Sequence, residues 1–191
     1  MKKLVLLFAL ALMQTALFAQ TTWTNDKMHS QAKFTITHLG VSDVSGLFKD
    51  FDAKITTSKA DFSDAKFELT AKTASVWTGV DMRDQHLQSA EFFDVANFPQ
   101  LTFTSTSVKS AGAGKFKVTG DLTIHGVTKP VTLDVWYRGT ITNPMSKAED
   151  AGFQVSGVIK RSDFNFGSKY PAPMLSDDVT IKVDGEFAKA K

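Results

Sequence analysis

The feature that most limits what this chain can fold into is an alternation of apolar and polar residues, repeated along most of its length. Ala32, Phe34, Ile36 and His38 alternate with Lys33, Thr35 and Thr37. Ala65, Phe67, Leu69 and Ala71 alternate with Lys66, Glu68, Thr70 and Lys72. Leu101 and Phe103 open a Thr- and Ser-rich stretch that runs toward Ser110. Phe116, Val118, Leu122 and Ile124 continue the pattern, as do the stretches 131–138, 153–159 and 179–187. A period of two gives each strand one buried and one wet face. That is the habit of antiparallel sheets. Turn-forming runs at 111–114 and 126–130 separate neighbours by hairpin-sized gaps. Gly46, Gly120, Gly157 and Gly185 fall inside strand patterns, where glycine often marks a bulge or a bend. The one helical stretch covers residues 81–89 and stops before Asn97-Phe98-Pro99. About eight such strands with one short helix close into a barrel or pack as a sandwich, and an eight-stranded barrel has room for side chains or one small ligand.

The N-terminus reads differently. Lys2 and Lys3 precede an unbroken apolar run over residues 4–13, and Ala16-Leu17-Phe18-Ala19-Gln20 follows. This is the layout of a secretory signal peptide cut after Ala19, and the run is too short to span a bilayer. The expectation is a signal at 1–19 and a single domain over 20–191, periplasmic or secreted, with no stable membrane anchor. Leaving out Lys2 and Lys3 takes the formal net charge from +2 to 0. A neutral domain argues against electrostatic capture of nucleic acid or anionic membrane. There is no Cys, so neither a disulfide nor a Cys-linked lipid is available, and a hydrophobic core must hold the domain.

Of the 16 Phe, 14 lie beyond residue 19, most at inward strand positions. Such rings fill ordinary cores or line a ligand cavity. Phe92, Phe93, Phe98, Phe164, Phe166, Tyr170 and Met174 fall in irregular segments, where the mouth of a barrel would be, and this favours a cavity. Arg83, Asp84 and His86 lie in or beside the helix. Arg83 offers a rigid fork for a phosphate or carboxylate, and His86 a donor for a headgroup. The structural alternative has Arg83 paired with Asp84 or Asp163, pinning the helix to the rim. His29 and His38, nine residues apart, would face opposite sides of one regular strand and lack a third ligand, so no metal is expected. His125 is expected in a turn or on the surface. Phosphate-cradling glycine loops and a nucleophile elbow are absent from the sequence.

Taken in order, several blocks resemble the YceI-like family of periplasmic lipid- or polyisoprenoid-binding proteins. They are Asp26-Lys27-Met28-His29-Ser30, then Phe34, Ile36, His38 and Gly40, then Val44, Gly46 and Phe48. Ser75 and Thr78 lead into Arg83-Asp84-Gln85-His86-Leu87-Gln88-Ser89 and Phe92-Phe93-Asp94. Phe98-Pro99-Gln100-Leu101-Thr102-Phe103 and the run 120–131 come next, then Gly157, Ile159, Arg161, Asp163, Phe164 and Asp178-Val179. The resemblance covers essentially all of the chain after the signal. It implies an all-β fold, an extended eight-stranded antiparallel lipocalin-like barrel, with a long apolar tunnel for an isoprenoid or similar chain. Asn165 stands where many members have Gly. The expected ligand-binding residues are Phe34, Ile36, His38, Phe48, Arg83, Asp84, His86, Leu87, Phe92, Phe93, Phe103, Phe164, Tyr170 and Met174, with no catalytic residue and no cofactor. The partner expected is a small lipid, and a homodimer is compatible with the sequence. The expected function is a non-catalytic carrier. The alternatives are an envelope enzyme acting on a bound lipid through His86 or His38, and a stress-response envelope protein whose cavity is incidental.

Overall fold

The structure, a computed structural model, describes residues 20–190, so the expected signal segment lies outside the described residues. In chain order the strands are β1 (Thr21–Asn25), β2 (Gln31–His38), β3 (Ser42–Phe48), β4 (Phe51–Thr57), β5 (Lys66–Lys72) and β6 (Val76–Trp77). After helix α1 (Asp81–Gln88) come β7 (Gln100–Gly112), β8 (Lys115–Ile124), β9 (Val127–Thr142), β10 (Glu149–Lys160) and β11 (Leu175–Lys189). Short 3-10 turns occupy Thr73–Ser75 and Arg161–Phe164.

These segments build eight staves of one closed antiparallel barrel. β1 and β2 form one stave interrupted at 26–30, because both pair with β11. β3 and β4 form the next, since β3 pairs with β2 and β4 with β1. β5 and β6 form the third, on either side of a 3-10 turn. β7 to β11 complete an up-and-down ring, and β11 closes it through Trp23↔Lys189 and Phe34↔Ile181. The sequence-derived eight-stranded barrel with one helix is the fold observed. β1 and β4 are short strands that the sequence pattern did not single out.

The interruption at 26–30 explains a block of the sequence. Asp26 Oδ1 accepts the backbone N–H groups of Met28 and His29, and Oδ2 pairs with His29 Nδ1 at 3.0 Å. Ser30, buried, both donates to and accepts from the Glu186 backbone. The side chains thus satisfy backbone groups that the missing ladder would leave open.

Two expectations are corrected. Gly46, Gly157 and Gly185 sit in unshifted stretches of their ladders rather than at bulges, whereas Gly120 pairs with Ser105 beside a β-bulge. A Cβ built on Gly120, Gly157 or Gly185 would meet Phe103, Leu133 or Phe187 at 2.5 Å, and one on Gly46 would collide with the Phe34 ring. They are inward positions emptied to admit a neighbour's side chain. The second correction concerns the β8–β9 turn. It consists of His125 (φ +50°) and Gly126 (φ +73°), both left-handed as a tight hairpin turn demands. Val127 to Pro130 already belong to β9. Asn165, at φ +54°, caps the second 3-10 turn, which is why a residue tolerant of the left-handed region stands there.

The inward faces form one continuous apolar cluster. At the lower end, where β1 begins and β11 finishes, loop 58–65 turns Phe62 up into the barrel, 1% exposed. Its ring packs on Trp23, Tyr137 and Phe153 at centroid distances of 5.4, 4.8 and 5.0 Å. At the upper end, α1 and the segments 89–99 and 161–174 lie over the opening.

Candidate functional site

Between the Phe62 plug and the upper segments the barrel holds a cavity of ≈ 520 Å³. This lies within the usual range for a small-molecule site. Its walls are the inward residues of the staves, such as Phe34, Phe48, Leu69, Val155 and Ile181. Phe67 and Phe187 also line it, and both pack on Phe153 beneath, so the tunnel has a floor.

The structure brings nearly all of the expected ligand-binding residues to this one space. Phe34, Ile36 and His38 reach it from β2, Phe48 from β3 and Phe103 from β7. Arg83, His86 and Leu87 reach it from α1, and Phe92 and Phe93 from the chain just after. Phe164, Tyr170 and Met174 reach it from the segment before β11. The expected pairing of Arg83 with Asp84 or Asp163 is not formed. Asp84, buried, does not line the cavity. Its Oδ1 accepts from Thr78 N at 2.8 Å and Thr78 Oγ1 at 2.5 Å. Arg83 Nε donates to the same hydroxyl at 2.7 Å, and Nη2 to the Thr78 carbonyl at 2.9 Å. Thr78 offers both a donor and acceptors, so it satisfies the two charged groups without their touching. Asp163 is exposed. Phe98 lies apart from the cavity, edge-on to His125 at 4.9 Å.

At the mouth the expected His86, Phe92 and Tyr170 are joined by Glu91, Lys169 and Arg161, which were not among the expected ligand-binding residues. Glu91 accepts from Tyr170 Oη at 2.6 Å and from Lys169 Nζ at 2.7 Å, and meets His86 Nε2 at 3.0 Å. Tyr170 has one proton and gives it to Glu91, so His86 Nε2 must carry its own proton to complete the triangle. Hydrogen bonds from His86, Lys169 and Tyr170 hold the Glu91 carboxyl at about 2, and the same carboxylate pushes the Tyr170 phenol up. Phe92 stacks on Tyr170 at 5.2 Å and 15°. Arg161, 6% exposed, fixes the backbone of the same segment. Its Nε and both Nη atoms donate to the carbonyls of Ser176, Phe166, Gly167, Tyr170 and Leu175. Arg161 stands in the blocks that resemble the family, though not among the expected ligand-binding residues, and Glu91 stands in no such block. The partner of each comes from chain positions set only by folding.

His29 and His38 lie at opposite ends of β2. Among the described residues, Asp26, His29 and Glu186 are the group whose ligand atoms all lie within 4.8 Å of one another. Asp26 and His29 there already hold each other, on the outside of the barrel. No helix among the described residues is long and apolar enough to cross a membrane.

Comparison with known proteins gives a consistent picture. Residues 23–187 match the profile of the YceI-like domain. "Protein YceI" of Salmonella arizonae is 41% identical over 189 residues, covering 97% of this chain and 98% of that protein. The crystal structure of a Campylobacter jejuni YCEI protein superposes with a TM-score of 0.74 at 37% identity, over 82% of this chain and 91% of that one. Burkholderia cenocepacia BcnA gives a TM-score of 0.75 at 27% identity, over 87% and 99%. A polyisoprenoid binding domain from Saccharophagus degradans shares the fold, with a TM-score of 0.67 at 16% identity over 88% and 98%.

Proposed function

The chain belongs to the YceI-like family, and on that premise we propose that it is a non-catalytic carrier in the periplasm or outside the cell, holding the tail of an amphiphilic lipid in its barrel. A polyisoprenoid or another long-chain lipid suits the space. One observation carries the reading: a cavity of ≈ 520 Å³ with largely apolar walls, a floor of aromatic rings, and Arg83, His38, His86 and Arg161 gathered at its mouth. The backbone polar groups of the wall are spent on the barrel ladder, so the inner surface offers a tail nothing to compete with water except apolar contact. Burying a tail there gains about 0.8 kcal/mol per CH₂, offset by the ordering of the chain and the cost of association. The polyisoprenoid binding named for the Saccharophagus domain agrees with this reading, although at 16% identity it speaks for the fold alone.

The His86–Glu91 contact favours a second reading, an enzyme acting on the bound lipid, because a histidine oriented by a carboxylate is what acid–base chemistry uses. In the carrier reading the same triangle is a fastening between α1 and the segment before β11. Lipid extraction from natively purified protein, followed by mass spectrometry, tests both. We expect a long-chain lipid that stays unchanged over hours of incubation. Protein that yields no lipid and retains none when supplied would overturn the carrier reading. Conversion of the lipid, lost in H86Q, would establish the enzyme instead.

A further inference from the structure

We propose that the lipid's head is an anion of the carboxylate or phosphate class, and that Arg83 receives it. This deepens the carrier reading and rests on it. Arg83 is half-buried and lines the cavity from α1. One edge of its guanidinium, Nε and Nη2, is fixed on Thr78. Among the described residues Nη1 makes no hydrogen bond, so three of the five N–H groups are unmet. Two of them, one on each Nη, form the outer edge of the fork, the edge that takes a carboxylate or phosphate through two parallel bonds. The Thr78 contacts supply the preorganisation that such a site needs, since they hold the plane of the fork before any ligand arrives.

The surrounding charges point the same way. No carboxylate lies within 4.0 Å of Arg83 or of Arg161 among the described residues. Arg161 spends its N–H groups on carbonyls and cannot bind the head itself. Its charge nevertheless remains at the mouth, 6% exposed, where low dielectric preserves its pull on an anion. The acids nearest these groups, Asp84, Glu91 and Asp177, do not line the cavity; Thr78 holds the first, Tyr170 and Lys169 the second, and Ser162 the third. Glu68, the acid that does line it, sits on β5 and pairs with Lys54 and Lys66. At the upper end, then, the cavity is lined by two guanidinium groups and two imidazoles, His38 and His86, and by no carboxylate, Glu91 meeting His86 from outside the lining. A neutral head would leave the free Arg83 edge without a partner in a partly dry site.

The test uses delipidated, full-length mature protein and two pairs of probes with matched tails: oleic acid against oleyl alcohol, and farnesyl phosphate against farnesol. With the acid ionised, each anion should bind at least about tenfold more tightly than its alcohol, the scale of a charge-assisted pair. R83Q should shrink that preference to within about threefold by weakening the anions more than the alcohols, and R83K should lie between, keeping the charge but losing the fork. Thermal melts establish that each variant is folded; if R83Q is not, the wild-type preference and the R83K decrease decide. Equal binding of acid and alcohol would overturn the headgroup assignment and leave the carrier standing. An anion preference that survives R83Q unchanged would overturn the role of Arg83. Failure of all four probes to bind would count against the carrier reading, and with it this proposal.

Discussion

At the lower end of the barrel, one loop does what takes three separate segments at the upper end. Loop 58–65 brings Phe62 into an all-aromatic nest and fastens itself with its own acid. Asp64 accepts from Thr57 Oγ1 at 2.5 Å, from Ser58 N at 3.1 Å and from the Ser58 hydroxyl. At the upper end Glu91 plays the corresponding part, but the Lys169 it holds is 78 residues away. The rings there also differ in company. Phe62 meets the buried rings of Trp23 and Phe153 and the partly buried Tyr137, whereas Phe92 meets Tyr170 and His86, whose polar atoms reach the surface. A local loop with a fully buried anchor opens only when the core does. A fastening made of half-exposed polar contacts between remote segments can release while the barrel stays folded. The lower end therefore behaves as core and the upper end as the entrance.

The largest expected effect tests the first half of that contrast. F62A should cost about 3–5 kcal/mol in denaturant unfolding, since the ring is buried and the rigid staves around it cannot collapse into the void. It should also let longer tails bind, because the floor is lost. A change below about 1 kcal/mol would mean that the lower end is not core. F92A comes next. One side of its ring faces the cavity, so fewer contacts vanish. We expect about 1–3 kcal/mol of destabilisation with faster lipid release, measured by transfer to vesicles.

E91Q should barely shift the melting temperature yet speed release several-fold, because contacts among half-exposed groups add little to global stability but hold the two segments together. Release as slow as in wild type would show that the triangle is not the fastening. Acid is the mildest probe. The Glu91 carboxyl falls from 4.5 to about 2 on folding, through its bonds to His86, Lys169 and Tyr170. Burial pushes Asp64 up, but bonds from Ser58 and Thr57 outweigh it and take it from 3.8 to about 2. Both pKa values are depressed on folding, so each contribution is complete above the unfolded value and disappears as pH falls toward about 2. Between these limits wild-type release should accelerate while E91Q stays flat, and D64N should flatten the fall in stability rather than the release rate. Identical acid profiles for the two variants would erase the distinction between the ends.

Much of this was legible in the sequence, and the reason is geometric. Strand alternation is local, so it marked the inward faces of β2, β5, β8 and β11 and placed Phe34, Ile36 and Phe103 on the cavity side. The aromatic residues of 92–93 and 164–174 stood out because they break the alternation. Phe62 did not stand out. It lies between Asp61 and Ser63 at φ +58°, an unusual conformation for a bulky residue, and reads as part of a polar turn.

The sequence by itself determined an antiparallel sheet with one apolar face, while its closure into a barrel, implied by the family resemblance, is seen in the pairing of β11 with β1 and β2. Period-two burial needs only neighbouring residues, and a sheet with one apolar face must close or be covered. Tertiary structure alone decided which charges meet. Arg83 and Asp84, adjacent in the chain, are kept apart by Thr78, while Glu91 and Lys169, remote in the chain, are joined at 2.7 Å. Hydrogen bonds act over about 3 Å, and the distance between two side chains on different loops is set by the register of the staves that carry them, not by anything written beside either residue.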